Sequence, residues 1–120
     1  MADLSPWRRQ IDEALAHGWD GHTFEDLERA VDEGDMQAWC SPGTIVLTQI
    51  IQYPQQKRLF FFLVSGDLAT AEAMSEDIYE FGRSHGCTVA AFSGRPGWQR
   101  TFLTRQGWSV KPFITMEKAL

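Results

Sequence analysis

The six residues Leu59-Phe60-Phe61-Phe62-Leu63-Val64 are apolar without a break. Nothing else in the chain constrains its fold as strongly. A strand with one wet face alternates apolar and polar residues, whereas a strand that is apolar on both sides belongs in the middle of a sheet with cover on each face. The residues that follow supply part of that cover. Leu68, Ala71, Met74, Ile78 and Phe81 recur at helical spacing, with His85 at the far end. They predict a long helix from about Leu68 to Ser84, which Gly86 terminates. Cys87 to Phe92 then reads as a second buried strand. Strand, helix and strand in that order form a βαβ unit, with parallel pairing and a right-handed crossover.

The rest of the chain arranges itself around this unit. Thr44 to Tyr53 is a β-branched run, and Tyr53-Pro54-Gln55-Gln56-Lys57 has turn chemistry, so this strand and the one from Arg58 to Ser65 form an antiparallel hairpin. Met36 to Cys40 is a short strand closed by Ser41-Pro42-Gly43. Two amphipathic helices come first. Trp7, Ile11, Ala14 and Leu15 follow Ser5-Pro6 and stop at Gly18; Phe24, Leu27 and Val31 follow Thr23, with Asp26 completing a weaker capping box and Gly34 ending the helix. Trp19-Asp20-Gly21-His22 is the loop between them. Downstream, Gly94-Arg95-Pro96-Gly97 is a turn leading into a short helix with Trp98, Phe102 and Leu103 on its apolar side, up to Gly107. Val110, Pro112, Ile114 and Met116 alternate with polar or mixed residues and predict a closing strand. The expected architecture is α/β: a mixed, mostly antiparallel sheet with one parallel βαβ crossover and helices on both faces, in a single domain over residues 1–120.

Composition narrows the function more by exclusion than by assignment. A formal charge of -5 argues against nucleic acid or an anionic membrane as partner, since both require positive potential. Met1 to Arg9 has no apolar core of a signal peptide, and no apolar run approaches the roughly 20 residues that span a bilayer. The cytoplasm is the expected location. Cys40 and Cys87 sit in apolar strand-like settings and read as small buried hydrophobes. His17, His22 and His85 share no metal-ligating spacing, so no metal site is expected. His85 suits the negative end of the long helix. Glu72, Glu76 and Glu80 at four-residue spacing read as a solvated face, with Tyr79 and Asp77 beside them.

The order of elements resembles the GCN5-related N-acetyltransferase family. Leu59 to Val64 matches that family's central strand, Leu68 to Ser84 its main helix, and Cys87 to Phe92 the parallel strand that splays from it. The stretch from Gly97 to Gly107-Trp108 is similar to its late helix. Tyr53-Pro54, Gly86-Cys87 and Gly94-Arg95-Pro96-Gly97-Trp98 together resemble small acetyltransferase-like proteins of tailed bacteriophages and prophages. For a phage protein the location is then the host cytoplasm or the virion.

The resemblance implies a coenzyme A site in the turn after the central strand, where a loop patterned Arg/Gln-x-x-Gly-x-Gly/Ala cradles the pyrophosphate with backbone N–H groups. Here that turn is Ser65-Gly66-Asp67-Leu68-Ala69-Thr70-Ala71, with one glycine. Asp67 stands where an N-cap belongs, and its carboxylate competes with a phosphate for the same donors. The expectation is therefore an acetyltransferase-like domain that is weak or non-catalytic, without a cofactor, working through contact with another protein. The alternative is an acetyl-CoA-dependent N-acetyltransferase with an atypical coenzyme loop; Ser65, Gly66, Arg95 and Arg100 would then bind the coenzyme. No catalytic residue is assigned. The late helix lacks the tyrosine that often serves the family as general acid, and His22 with Asp20 is the one polar pair near a cleft. Trp98 and Trp108 read as core packing.

Overall fold

The computed structural model describes residues 3–18 and 20–120, so Trp19 of the predicted loop lies outside the described residues. Helix α1 spans Arg8–Ala16 and α2 spans Phe24–Asp32; β1 is Gln37–Ser41, β2 is Thr44–Tyr53 and β3 is Gln56–Ser65; α3 runs Leu68–Ser84 and β4 is Val89–Phe92. The predicted box at α2 is formed on both sides, with Thr23 Oγ1 accepting from the Asp26 amide at 3.2 Å and Asp26 Oδ2 from the Thr23 amide at 2.8 Å. The sheet order is β1-β2-β3-β4, antiparallel except for the β3–β4 pair, which is parallel.

The two faces of the sheet carry separate cores. On one face α1 and α2 bring Ile11, Phe24 and Leu27 onto Ile45, Leu47 and Leu63; on the other, α3 brings Ile78 onto Val46, Leu59 and Phe61. The central strand does not alternate simply between them. Leu47 faces Leu63 and Thr48 faces Phe61, leaving Phe62 as an extra residue in β3. This β-bulge turns Phe62 and Leu63 to the same side, against the α1–α2 core, while Val64 returns to the α3 side. Phe61 is buried, and Phe60 and Phe62 are half-buried.

Two expected elements are absent in the predicted form. The late helix is replaced by two 3-10 turns, Pro96–Arg100 and Thr104–Gln106, separated by an extended Thr101. Thr101 Oγ1 donates to the Trp98 carbonyl at 2.7 Å and Thr104 Oγ1 to that of Gln99 at 2.8 Å, so side-chain hydroxyls take acceptors that a continuous helix would use. The closing strand is also missing: residues 108–120 form no strand, and Val110, Ile114 and Met116 are exposed. Pro112 removes a ladder donor at the centre of this segment. Cys87 precedes β4 and is half-buried, while Cys40 on the edge strand β1 is exposed, contrary to the buried reading. Among the described residues no helix is long and apolar enough to cross a membrane.

Candidate functional site

β3 and β4 pair only from Arg58/Val89 to Phe61/Phe92; β4 then ends, while β3 continues to Ser65 beside β2 alone. The bulge at Phe62 lies where the two strands part. The gap beyond is the place in the fold where a ligand would enter between parallel strands, at their carboxyl ends. Here aromatic side chains fill it. Trp98 meets Phe92 edge to face at 5.1 Å, and Trp108 meets Phe61 at 5.8 Å. Gly94 permits the first contact, since a Cβ there would stand 2.5 Å from the Phe92 ring and 2.9 Å from Trp98. The cavity that remains is about 30 Å³, lined by Phe61, Val64, Ala71, Tyr79, Phe92 and Trp98 among others, and almost wholly apolar. A single water needs roughly 10–15 Å³ measured this way, so there is room for a water or two and not for a pantetheine arm.

Tyr79 is the residue that periodicity misplaced. It leaves the solvated acidic side of α3 and lines the cavity, half-buried. Trp108 Nε1 donates to its hydroxyl at 3.0 Å, the hydroxyl donates to Gln106 Oε1 at 2.5 Å, and Gln106 Nε2 donates to Ser75 Oγ at 3.0 Å. Burial pushes the Tyr79 phenol above its ordinary pKa. Together with Arg105, paired to Glu72 at 3.1 Å, this network holds the second 3-10 turn against α3. Arg83 bridges Glu76 at 3.0 Å and Glu80 at 3.2 Å, so the acidic stripe is exposed but cation-paired.

The turn after β3 is closed by the protein's own groups. Gly66 has φ +129° and packs so tightly on the β1–β2 turn that a Cβ would lie 2.5 Å from Thr44 Oγ1 and 2.6 Å from Thr44 Cα. Its glycine is required by that packing. The Asp67 amide donates to Thr44 Oγ1 at 3.1 Å, and Asp67 Oδ2 accepts from both the amide and the hydroxyl of Thr70, each at 2.9 Å. Asp67 is the N-cap of α3, as its position in the sequence predicts. Ser65, half-buried, has its hydroxyl 3.5 Å from Gln10 Nε2.

Arg95 and Arg100 bound the first 3-10 turn and are exposed, with neither in an ion pair among the described residues. None of Ser65, Gly66, Arg95 and Arg100 lines the cavity, although their neighbours Val64 and Trp98 do. His22, exposed, rests its ring edge-on against Phe62 at 5.0 Å, beside the bulge. Asp20 has φ +58° and makes no hydrogen bond to it among the described residues. His85 ends α3 as expected, with Nδ1 2.9 Å from the Phe81 carbonyl. Among the described residues no group of three or more His, Cys, Asp and Glu side chains could hold a metal ion.

No protein-family model and no curated protein matches the chain. Solved structures do. A GCN5-related N-acetyltransferase from Ralstonia eutropha superposes with a TM-score of 0.65 at 16% identity, covering 77% of this chain and 71% of that one. Glucosamine-6-phosphate N-acetyltransferase from Arabidopsis thaliana gives 0.63 at 17% identity, over 98% and 94% of the two chains. The tetramutant of the BH1408 protein from Bacillus halodurans gives 0.73 at 15% identity, over 98% and 94%. Likeness at these identities establishes the fold. The chain has an α/β fold similar to that of these acetyltransferases, with the mixed sheet and parallel pair predicted from β3, α3 and β4.

The Thr70 and Asp67 amides already have oxygen partners, a carboxylate stands at the helix N-terminus, and the gap between the strands is packed.

Proposed function

We propose that this chain is an acetyltransferase-like domain that works through contact with another protein, a virion component or a host target, and does not transfer acetyl groups efficiently. The observation that carries the reading is the Asp67 carboxylate bound to the Thr70 amide at the start of α3. A pyrophosphate at that place would have to displace the carboxylate from its donor, and its charge would be repelled. Filling of the strand gap by Trp98 and Trp108 supports the same reading. The phage or prophage origin rests on the short motifs Tyr53-Pro54, Gly86-Cys87 and Gly94 to Trp98.

Thermal denaturation with acetyl-CoA tests the proposal. A ligand at one hundred times its Kd stabilises the native state by about 2.7 kcal/mol, roughly 10 °C in Tm for a domain of this size. The expected result is an unchanged Tm at millimolar acetyl-CoA; a dose-dependent rise of several degrees overturns the reading. The second reading, an atypical coenzyme site, is favoured by one observation: Arg95 and Arg100 are exposed and outside any ion pair among the described residues. It requires such a Tm rise, and requires Arg95→Ala with Arg100→Ala to abolish it.

A further inference from the structure

A cleft of about 460 Å³ opens at the end of α3 remote from Asp67, lined by Asp35, Met36, Gln37, Ile50, Phe81 and His85 among others. That is the size of a small-ligand pocket, roughly 300–1,000 Å³. Its electrostatics are one-sided. α2 and α3 both finish here, at the C-caps Glu33 and His85, so two helix C-termini bring partial negative charge to one place. Asp35 adds a full charge. Its amide is held by the Ala30 carbonyl at 2.9 Å, while its carboxylate has no ion-pair or hydrogen-bond partner among the described residues. The arginines of these two helices closest to their ends, Arg29 and Arg83, are already paired, with Asp26 and with Glu76 and Glu80. Lys57, beside Gly86, does not line the cleft.

The polar groups of the wall are set by bonds behind it. Gln37 Oε1 accepts from the buried Thr48 hydroxyl at 2.8 Å, and that hydroxyl accepts from Trp39 Nε1 at 3.1 Å. The Gln37 Nε2 protons are left without an acceptor among the described residues. His85 Nδ1 lies 2.9 Å from the Phe81 carbonyl, which can only accept, so Nδ1 carries the proton and Nε2 of the neutral ring is an acceptor. Phe81 supplies an aromatic wall, braced edge-on by Trp39 at 5.4 Å and overlaid by the His85 ring at 4.2 Å.

We infer that this cleft takes an arginine side chain of a partner protein. A guanidinium is planar, always charged and weakly hydrated, so it can enter a half-apolar cleft at lower cost than an ammonium. Its charge meets Asp35 and the two helix ends, and its plane meets the aromatic wall at Phe81. Its N–H donors match the Asp35 carboxylate and His85 Nε2, while the free Gln37 donors suit the backbone carbonyl of the same arginine. A lysine ammonium is compact and strongly hydrated, and gains less from Met36, Ile50 and Phe81. The formal charge of -5 favours a cationic partner in the same sense. That the arginine belongs to a protein rests on the interaction reading above; the affinity of the cleft for a guanidinium does not.

Amide NMR of the full chain, titrated with N-acetyl-arginine-N-methylamide and with its lysine counterpart, is the test. The arginine compound should bind with a millimolar Kd and shift the amides of residues 34–37, 81 and 85. Asp35→Asn should weaken that binding about three- to fivefold at unchanged Tm, because the carboxylate holds nothing in the free protein. The lysine compound should bind more weakly than the arginine one. Absence of saturable shifts at the cleft overturns the inference, as does equal binding by the lysine compound or by Asp35→Asn. Shifts spread over Glu72, Glu76 and Glu80 instead overturn it too, since they report general ionic attraction. Acetyl-CoA added to the same samples separates the two claims. Its saturable binding overturns the interaction reading, whereas a silent cleft with a silent coenzyme overturns only the arginine site.

Discussion

Gly66→Ala probes the turn after β3 at the point where two explanations of its glycine diverge. If the glycine serves a phosphate, an alanine there harms ligand binding and leaves the free protein intact. In this structure the glycine serves the protein. At φ +129° an L-residue is strained by about 1–3 kcal/mol. The new Cβ would meet Thr44 Cα at 2.6 Å and Thr44 Oγ1 at 2.5 Å. Because one of these is backbone, the methyl cannot be accommodated by a rotamer change and the β1–β2 turn must move. That movement stretches the Asp67 amide away from Thr44 Oγ1, a bond of 3.1 Å whose loss leaves a partly buried donor unpaired, costing about 1–3 kcal/mol. The sum is about 2–6 kcal/mol on those two ranges, or roughly 8–24 °C in Tm for a domain of this length. Urea denaturation of the free protein, checked by a Tm scan, measures it. A loss below about 1 kcal/mol would show that the turn yields freely, and the packing argument would fail.

Three further outcomes follow from the same geometry. Asp67→Ala removes the α3 N-cap and lowers stability by about 0.5–2 kcal/mol in urea melts; an unchanged midpoint would mean that Thr70 does not depend on the cap. Tyr79→Phe leaves Trp108 Nε1 and Gln106 without the hydroxyl between them, so it should cost about 1–3 kcal/mol and speed proteolysis in the 93–108 segment; equal cleavage rates would show that the hydroxyl does not hold this segment on α3. Phe61→Ala empties a buried site against Trp108 and Tyr79, and calorimetric melting should register a loss of about 3–5 kcal/mol, with near-native melting contradicting the central placement of β3.

The elements easiest to read in the sequence were those whose signals lie within the element. α3 begins and ends where Asp67 and Gly86 place it, because a cap and a terminating glycine act over one turn. The β2–β3 hairpin and the parallel crossover follow from the apolar run and the length of the intervening helix. The bulge at Phe62 was not legible, since a run apolar on both sides carries no alternation in which an extra residue would show. Tyr79 was hidden for a related reason. It borders the acidic stripe, and its place in the cavity is decided by Gln106 and Trp108, which are distant in sequence. A weak sign was available in Ser75, a small residue one helical turn before it that leaves room for the second 3-10 turn. The closing strand failed because alternation states only what a segment can pair with, while Pro112 removes a ladder donor at its centre.

We propose that Asp67 closes to coenzyme A the turn after β3, in a fold similar to that of acetyltransferases. Isothermal titration of the unmodified protein with acetyl-CoA tests it most directly. The account predicts only heats of dilution up to millimolar coenzyme. A saturable one-to-one isotherm would contradict it, and would mean that Asp67 gives up Thr70 and the aromatic packing between β3 and β4 opens to admit the ligand.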